Sequence, residues 1–289
     1  MPRTPVTAVI EWFGGAARDL PWRAPDCSAW GVLVSEVMLQ QTPVVRVEPA
    51  WRAWMARWPE PADLAAAPQP EVLRAWGRLG YPRRALRLQE CARALVERHD
   101  GAVPTRAEEL LALPGIGEYT AAAVRTFAFG ERDVVLDTNV RRVIGRAWSG
   151  QAHPRPHLTR AERDHAAALV PTDRDEAATW NAAVMELGAL VCTSRAPQCA
   201  QCPLESDCTW VAIGRPGLGE GAGRSQAWHG TDRQVRGRVL AILREAVDPV
   251  ALETHPALAD VDPGQLDRCV TSLVEDGLVR PASGATYSL

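Results

Sequence analysis

Four cysteines, Cys192, Cys199, Cys202 and Cys208, follow one another at gaps of six, two and five residues. Four thiolates in one loop can hold a zinc ion or a 4Fe–4S cluster. Zinc ribbons present two Cys-x2-Cys pairs on separate knuckles; this single loop has one such pair, so the spacing favours the cluster. Its expected role is structural, ordering residues 193–198. Glu36 is the second chemical group, standing among Val32, Leu33, Val37, Met38 and Leu39 with few polar neighbours. A buried, unpaired carboxyl group avoids its charged form and its pKa rises, which makes it a general acid near neutral pH. A glutamate paired with a buried arginine would explain the same pattern and is the commoner arrangement, so both readings stay open. Asp137 follows the apolar run Val134-Val-Leu136 and precedes Thr138-Asn-Val-Arg-Arg142. It is placed to cap a helix N-terminus, where the dipole favours the ionised form. A raised Glu and a lowered Asp suit glycosidic-bond cleavage: one protonates the leaving group, the other stabilises an oxocarbenium-like sugar.

Between these groups lies the turn Leu113-Pro-Gly-Ile-Gly117. Gly115 and Gly117 let the backbone bend without a Cβ clash, and free N–H groups at the start of a helix from Glu118 form an anion pocket. A phosphate suits that pocket, and a DNA backbone supplies phosphates in series. An ordinary helix–turn–helix with a glycine cap is the alternative. Arg195, in the cysteine loop, is expected to reach such a phosphate. The formal charge of −3 requires any nucleic-acid contact to be local. Residues 71–98 carry seven arginines against three glutamates, whereas residues 229–289 carry six arginines against nine acids. No lysine occurs anywhere, which excludes Schiff-base chemistry on a lysine side chain.

The elements that must position these groups are helices. Apolar periodicity marks them at residues 4–17, 30–40, from 43 onward with Trp51, Trp54 and Trp58, 70–79, 83–98, 106–112, 118–129, 138–148, 159–169 and 175–191. Strand alternation is hardly visible, so the expected class is all-α. The segment 30–40 is apolar on every side apart from Ser35, Glu36 and Gln40, the pattern of a buried helix. Glycine and proline crowd residues 214–223, inside an expected linker at 213–230. Beyond it, helices at 231–245 and 263–275 precede two short strands in 277–289, the order of a small winged-helix-like module. With 289 residues, 46% of them hydrophobic, the chain can hold one large core or two modest ones. No early apolar run reaches the length of a signal peptide or membrane span, so a soluble, cytoplasmic chain with no membrane partner is expected.

Leu113–Gly117, Asp137 and the four-cysteine loop together resemble the helix-hairpin-helix DNA glycosylases of the endonuclease III superfamily. Within it, Leu20-Pro-Trp-Arg23, Ser35-Glu-Val-Met-Leu-Gln-Gln-Thr42, Leu79-Gly-Tyr81, Leu136-Asp-Thr-Asn139 and Met185-Glu-Leu-Gly-Ala189 resemble the MutY-type adenine glycosylases. The resemblance covers about residues 4–212. It implies a monofunctional base excision repair glycosylase, prokaryotic and nucleoid-associated. Such an enzyme removes adenine opposite 8-oxoguanine or guanine after flipping it out of double-stranded DNA. It also implies a six-helix barrel with the helix-hairpin-helix at 30–130, an iron–sulfur cluster domain from 1–29 and 131–212, and the linker and module beyond. Glu36 would protonate N7 of the flipped adenine and Asp137 would stabilise the sugar cation, supported by Tyr119 and Asn139. Leu20, Trp22 and Arg23 would line the adenine pocket. The Gln40-Gln41 pair fits the adenine branch, and Gln41, Thr42 and Tyr81 would enter the duplex around the opposite base. Gly115, Ile116 and Gly117 would hold phosphate, with a monovalent cation. Bifunctional relatives carry a nucleophilic lysine at the place of Tyr119, so tyrosine implies an abasic product without strand cleavage.

Three features depart from the family pattern. The tail is short and winged-helix-like, Ala182 stands where Gln or Glu often touches adenine, and Thr138 replaces a common glycine. A monomer is expected, with the acidic tail packing or docking another protein. There are two rivals: a thymine or uracil mismatch glycosylase, which can carry the same Glu36 and Tyr119, and a non-catalytic iron–sulfur redox-sensing regulator that reads DNA through the winged helix, against which the Glu36 and Asp137 pair argues.

Overall fold

The computed structural model describes residues 4–219 and 229–289; residues 220–228 of the expected 213–230 linker lie outside the described residues. In chain order the helices are α1 (Pro5–Ala16), α2 (Ala29–Leu39), α3 (Val44–Arg57), α4 (Pro61–Ala66), α5 (Gln69–Trp76), α6 (Arg83–His99) and α7 (Ala107–Leu111). They continue as α8 (Glu118–Phe129), α9 (Thr138–Ser149), α10 (Arg160–Leu169), α11 (Arg174–Leu190), α12 (Thr209–Ala212), α13 (Asp232–Glu245) and α14 (Pro263–Glu275). A short antiparallel pair, β1 (Arg280–Pro281) and β2 (Tyr287–Ser288), matches Arg280 with Ser288 and Pro281 with Tyr287. The all-α expectation holds. Helices α4 and α12 have no counterpart in the sequence reading because they are too short to show a period. Among the described residues no helix is long and apolar enough to cross a membrane.

The described residues form two compact units, one from residues 4–36 and 103–219, the other from residues 37–102 and 229–289. Residues 103–130, expected with 30–102, group with the cysteine loop, and the C-terminal module groups with 37–102. In the first unit α1, α9 and α11 interdigitate through Val9, Val143, Ile144, Trp180, Val184 and Leu187. Helix α9 is capped by Asp137 at its start and stops at Gly150, which takes the left-handed φ of +65° that glycine adopts without strain. A Thr159–Glu162 capping box starts α10, and Asp173 caps α11.

The second unit packs its tryptophans edge to face. Trp54 lies 4.6 Å from Trp58 and 5.6 Å from Trp76, centroid to centroid. The buried Gln89 amide donates to the carbonyls of Leu64 and Ala67 and so closes the end of α4 against α6. The C-terminal module is held by reciprocal capping. Arg74 of α5 donates to the carbonyls of Arg244 and Ala246 at the end of α13, and Arg244 donates to Leu73 near the end of α5. Each helix C-terminus thus receives the other's guanidinium, which the negative dipole end favours. Because Trp54 anchors two aromatic contacts in a fully buried position, Trp54→Ala is expected to destabilise the full chain by about 3–5 kcal/mol, read as a lowered melting temperature.

Candidate active site

Helix α2 is buried along its length, and Glu36 within it is 5% exposed. One of its carboxyl oxygens is fully buried and has no hydrogen-bond partner. The Tyr119 hydroxyl donates to the carboxyl group. Burial raises Glu36 to about 7, against the opposing pull of the Tyr119 hydrogen bond and of Arg23. Tyr119 sits in the first turn of α8, and burial together with the neighbouring carboxylates holds its phenol well above the ordinary value. It therefore stays a neutral donor.

Asp137 is the N-cap of α9: its Oδ1 accepts from the Val140 N–H at 2.6 Å and its Oδ2 from Asn139 Nδ2 at 2.8 Å. The expectation of a lowered pKa is overturned. Burial raises it despite those two donors and the cationic Arg142. The contrast with Glu36 lies in hydrogen bonding, since both Asp137 oxygens are occupied while one Glu36 oxygen is free. Asn139 is itself oriented, because its Oδ1 accepts from Arg142 Nη2 at 2.7 Å. Gly188 of α11 lies against it: a Cβ at that position would fall 2.8 Å from the Asn139 Cβ, so only glycine lets the helices approach here.

The half-buried arginine that could neutralise Glu36 is committed elsewhere. Arg23, in the short turn Pro21–Arg23, donates through Nη2 to Glu186 Oε2 at 3.0 Å, and its Nη1 is buried without a partner. Glu186 also accepts from the Arg18 backbone N–H, Nε and Nη2 at 2.7–3.0 Å. Burial would push this carboxyl up, but the Arg18 and Arg23 hydrogen bonds outweigh it and hold Glu186 down to about 2. Leu20 and Trp22 are buried in the same loop. Glu186 and Gly188 carry roles that periodicity did not signal, although both lie in the segment Met185–Ala189 that shaped the resemblance.

The helix-hairpin-helix turn runs from α7 to α8. Gly115 has a φ of +78°, which favours glycine, whereas Gly117 is extended, caps α8 without a side-chain bond and has open space where a Cβ would stand. Only the first of the two glycines is demanded by the backbone. Ile116 is buried and its N–H donates to the Leu113 carbonyl at 3.2 Å, which occupies that donor within the turn. In the second unit, Gln41 is exposed, Gln40 is half-buried and Tyr81 is 49% exposed. Thr42 is 6% exposed and its hydroxyl is held by Leu79 and Arg84, so it braces the turn instead of projecting from it.

The four cysteine thiols line one cavity in the first unit, beside Arg146 and Trp210. No group of three or more His, Cys, Asp or Glu among the described residues is spaced to ligate a single metal ion. Two buried cations on α9 suit an anionic thiolate assembly. Arg142 Nε donates to the Cys192 carbonyl, and Arg146 reaches Cys192 Sγ at 3.4 Å and the Thr193 and Ser194 carbonyls. Arg195 in the same loop is exposed.

The sequence pattern of the HhH-GPD superfamily base excision DNA repair proteins matches residues 34–167. The chain is 52% identical, over 97% of its length, to the adenine DNA glycosylase of Mycolicibacterium smegmatis, of which it covers 94%. It is 47% identical, over 98% of its length, to the adenine DNA glycosylase of Mycobacterium tuberculosis, of which it covers 92%. Both matches are long enough to run through the C-terminal module. Among solved structures it superposes on a thermostable thymine-DNA glycosylase with a TM-score of 0.65 and 28% identity, over 72% of this chain and 95% of that one.

The unpaired Glu36 has a measurable cost. From its ordinary value of 4.5 up to about 7 the unfolded chain loses the proton while the folded chain keeps it, so stability falls as pH rises across that window. The loss is on the order of 3 kcal/mol. Glu36→Gln is therefore expected to raise the melting temperature at pH 8 and leave it nearly unchanged at pH 4.5. An equal response at the two pH values would contradict an uncompensated buried carboxyl group.

Proposed function

The chain belongs to the adenine DNA glycosylases of the HhH-GPD base excision repair superfamily, and we propose that it removes adenine paired with 8-oxoguanine or guanine by hydrolysing the N-glycosidic bond. The observation that carries this reading is a carboxyl group poised near neutrality with one free buried oxygen, Glu36, in one unit with a fully hydrogen-bonded carboxylate, Asp137. The adenine must first leave the stack. Glu36 then gives its proton to N7, the C1′–N9 bond breaks with its electrons passing to the base, and the Asp137 carboxylate stabilises the positive sugar. Water adds at C1′ and loses a proton, leaving an abasic site and free adenine. Arg23 Nη1, buried and unpartnered, suits an acceptor nitrogen of the base. Gln41 and Tyr81 would enter the duplex, and the opening N–H groups of α8, with Arg195, would meet phosphates. With tyrosine at 119 and no lysine in the chain, the strand is left intact.

Cys192, Cys199, Cys202 and Cys208 would hold a 4Fe–4S cluster whose contribution is to order the loop bearing Arg195. Cys202→Ser is then expected to lower bound iron and sulfide, weaken the visible absorbance and reduce DNA affinity; full iron content in this variant would argue against that ligand set.

The function is tested by single-turnover base release from duplexes carrying A opposite 8-oxoguanine, A opposite G, T opposite G and U opposite G, with hot alkali to reveal abasic sites. Adenine release is expected, with strand breaks only after alkali. The rate should fall as pH rises through about 7, because the protonated Glu36 is the acid, and Glu36→Gln should lose release while keeping DNA binding. Release of T or U alone would move the protein to mismatch repair of pyrimidines, and binding without any release would make it a regulator.

A further inference from the structure

Arg84, in the first turn of α6, is an arginine whose partners are carbonyls and a hydroxyl instead of a carboxylate. Its Nη1 donates to the carbonyls of Val37, Met38 and Gln40 at 2.8, 3.0 and 2.6 Å. Its Nη2 donates to Thr42 Oγ1 at 3.0 Å and to the Gly80 carbonyl at 3.1 Å. The Thr42 hydroxyl donates in turn to Leu79 at 3.2 Å. One guanidinium therefore closes two turns that are far apart in sequence, the exit of α2 and the entry to α6.

Each turn then places a non-glycine residue in left-handed backbone, Gln41 at φ 56° and Tyr81 at φ 47°. Such conformations persist only where the surroundings over-determine them, and they gather at working sites. The guanidinium also lies 5.5 Å from the Tyr81 ring centroid and 5.2 Å from that of Trp76, while Arg233 of α13 stands 5.7 Å from the Tyr81 ring. Filling this space with a cation is costly, since burial lowers the Arg84 pKa to about 10 and no carboxylate among the described residues is paired with it. A need for packing alone would be met by an apolar side chain.

We infer that Arg84 is a positioning residue that locks the Gln40–Thr42 and Leu79–Tyr81 turns together, so that Gln41 and Tyr81 stand as one preformed two-pronged wedge. Preforming the wedge removes the ordering cost from DNA binding. The inference rests on the reading above that these two side chains enter the duplex.

The test compares full-length wild type with Arg84→Lys, Arg84→Met and Tyr81→Ala. It measures single-turnover adenine release from a duplex with A opposite 8-oxoguanine, and from the same strand with the adenine unpaired opposite a one-nucleotide gap. Binding-induced fluorescence of a 2-aminopurine beside the opposite base reports insertion, and thermal melting reports folding. Lysine keeps the charge but not the fork, so Arg84→Lys should slow release of paired adenine roughly 10–100-fold and shrink the fluorescence change. Release of unpaired adenine and the melting temperature should stay near wild type. Arg84→Met should be at least as slow; should it fail to fold, Arg84→Lys carries the test. A normal rate in Arg84→Lys beside a slow Tyr81→Ala would overturn the positioning role alone. Equal losses on paired and unpaired adenine, or loss of folding in both Arg84 variants, would make Arg84 purely structural. A wild-type rate in Tyr81→Ala would instead sink the insertion reading on which the inference rests.

Discussion

A carboxyl group buried without a counter-ion is the constraint around which the first unit is arranged. Leaving one Glu36 oxygen unsatisfied costs about 1–3 kcal/mol, and the surroundings avoid cancelling that cost in the obvious way. The nearby cation, Arg23, is drawn off by Glu186, which with Arg18 forms a closed set of charge-assisted hydrogen bonds. Tyr119 supplies a neutral donor, which steadies the carboxyl group without ionising it. The acid thus stays near neutrality because its neighbours are occupied with one another.

Helix α9 is the connecting member. Its N-cap is Asp137, its first turn carries Asn139, and Arg142 and Arg146 follow at four-residue spacing on one face. Through these side chains the Asp137 carboxylate is joined to the cysteine loop by hydrogen bonds: Asn139 to Asp137, Arg142 to Asn139, Arg142 to the Cys192 carbonyl. Arg146 continues the line beneath Trp210, 4.3 Å from its ring centroid. Disorder in the cysteine loop would therefore reach Asp137 through bonded contacts, and Gly188 is what lets α11 lie close enough to complete them.

The uneven charge along the chain finds part of its explanation inside the second unit. The net-positive stretch 71–98 and the net-negative tail meet through Arg83 and Asp276, and Asp276 also holds Arg236. Such half-exposed pairs stabilise weakly by themselves. The exchanged arginine caps of α5 and α13 are better placed, because they satisfy helix-end carbonyls that packing would otherwise strand. The acidic module is to that extent matched to its own chain.

Local pattern alone determined every helix but the short α4 and α12, the cap at Asp137, the turn at Gly115 and the four thiols, because each depends on neighbours in sequence. Gly115 was legible in this way, while Gly117 was over-read: its type suggested strain that its extended backbone does not carry. Tertiary structure decided what depends on distant partners. Whether Glu36 met an arginine turned on Glu186, 150 residues away; whether Asp137 sat low or high turned on burial, which the N-cap rule does not contain. The same holds for Arg84, whose spacing marks an ordinary surface position at a helix start and whose role appears only when two turns far apart in sequence close upon it. Periodicity reports which face of a helix is apolar, but a polar side chain acquires its function from the groups that long-range packing brings within hydrogen-bond reach.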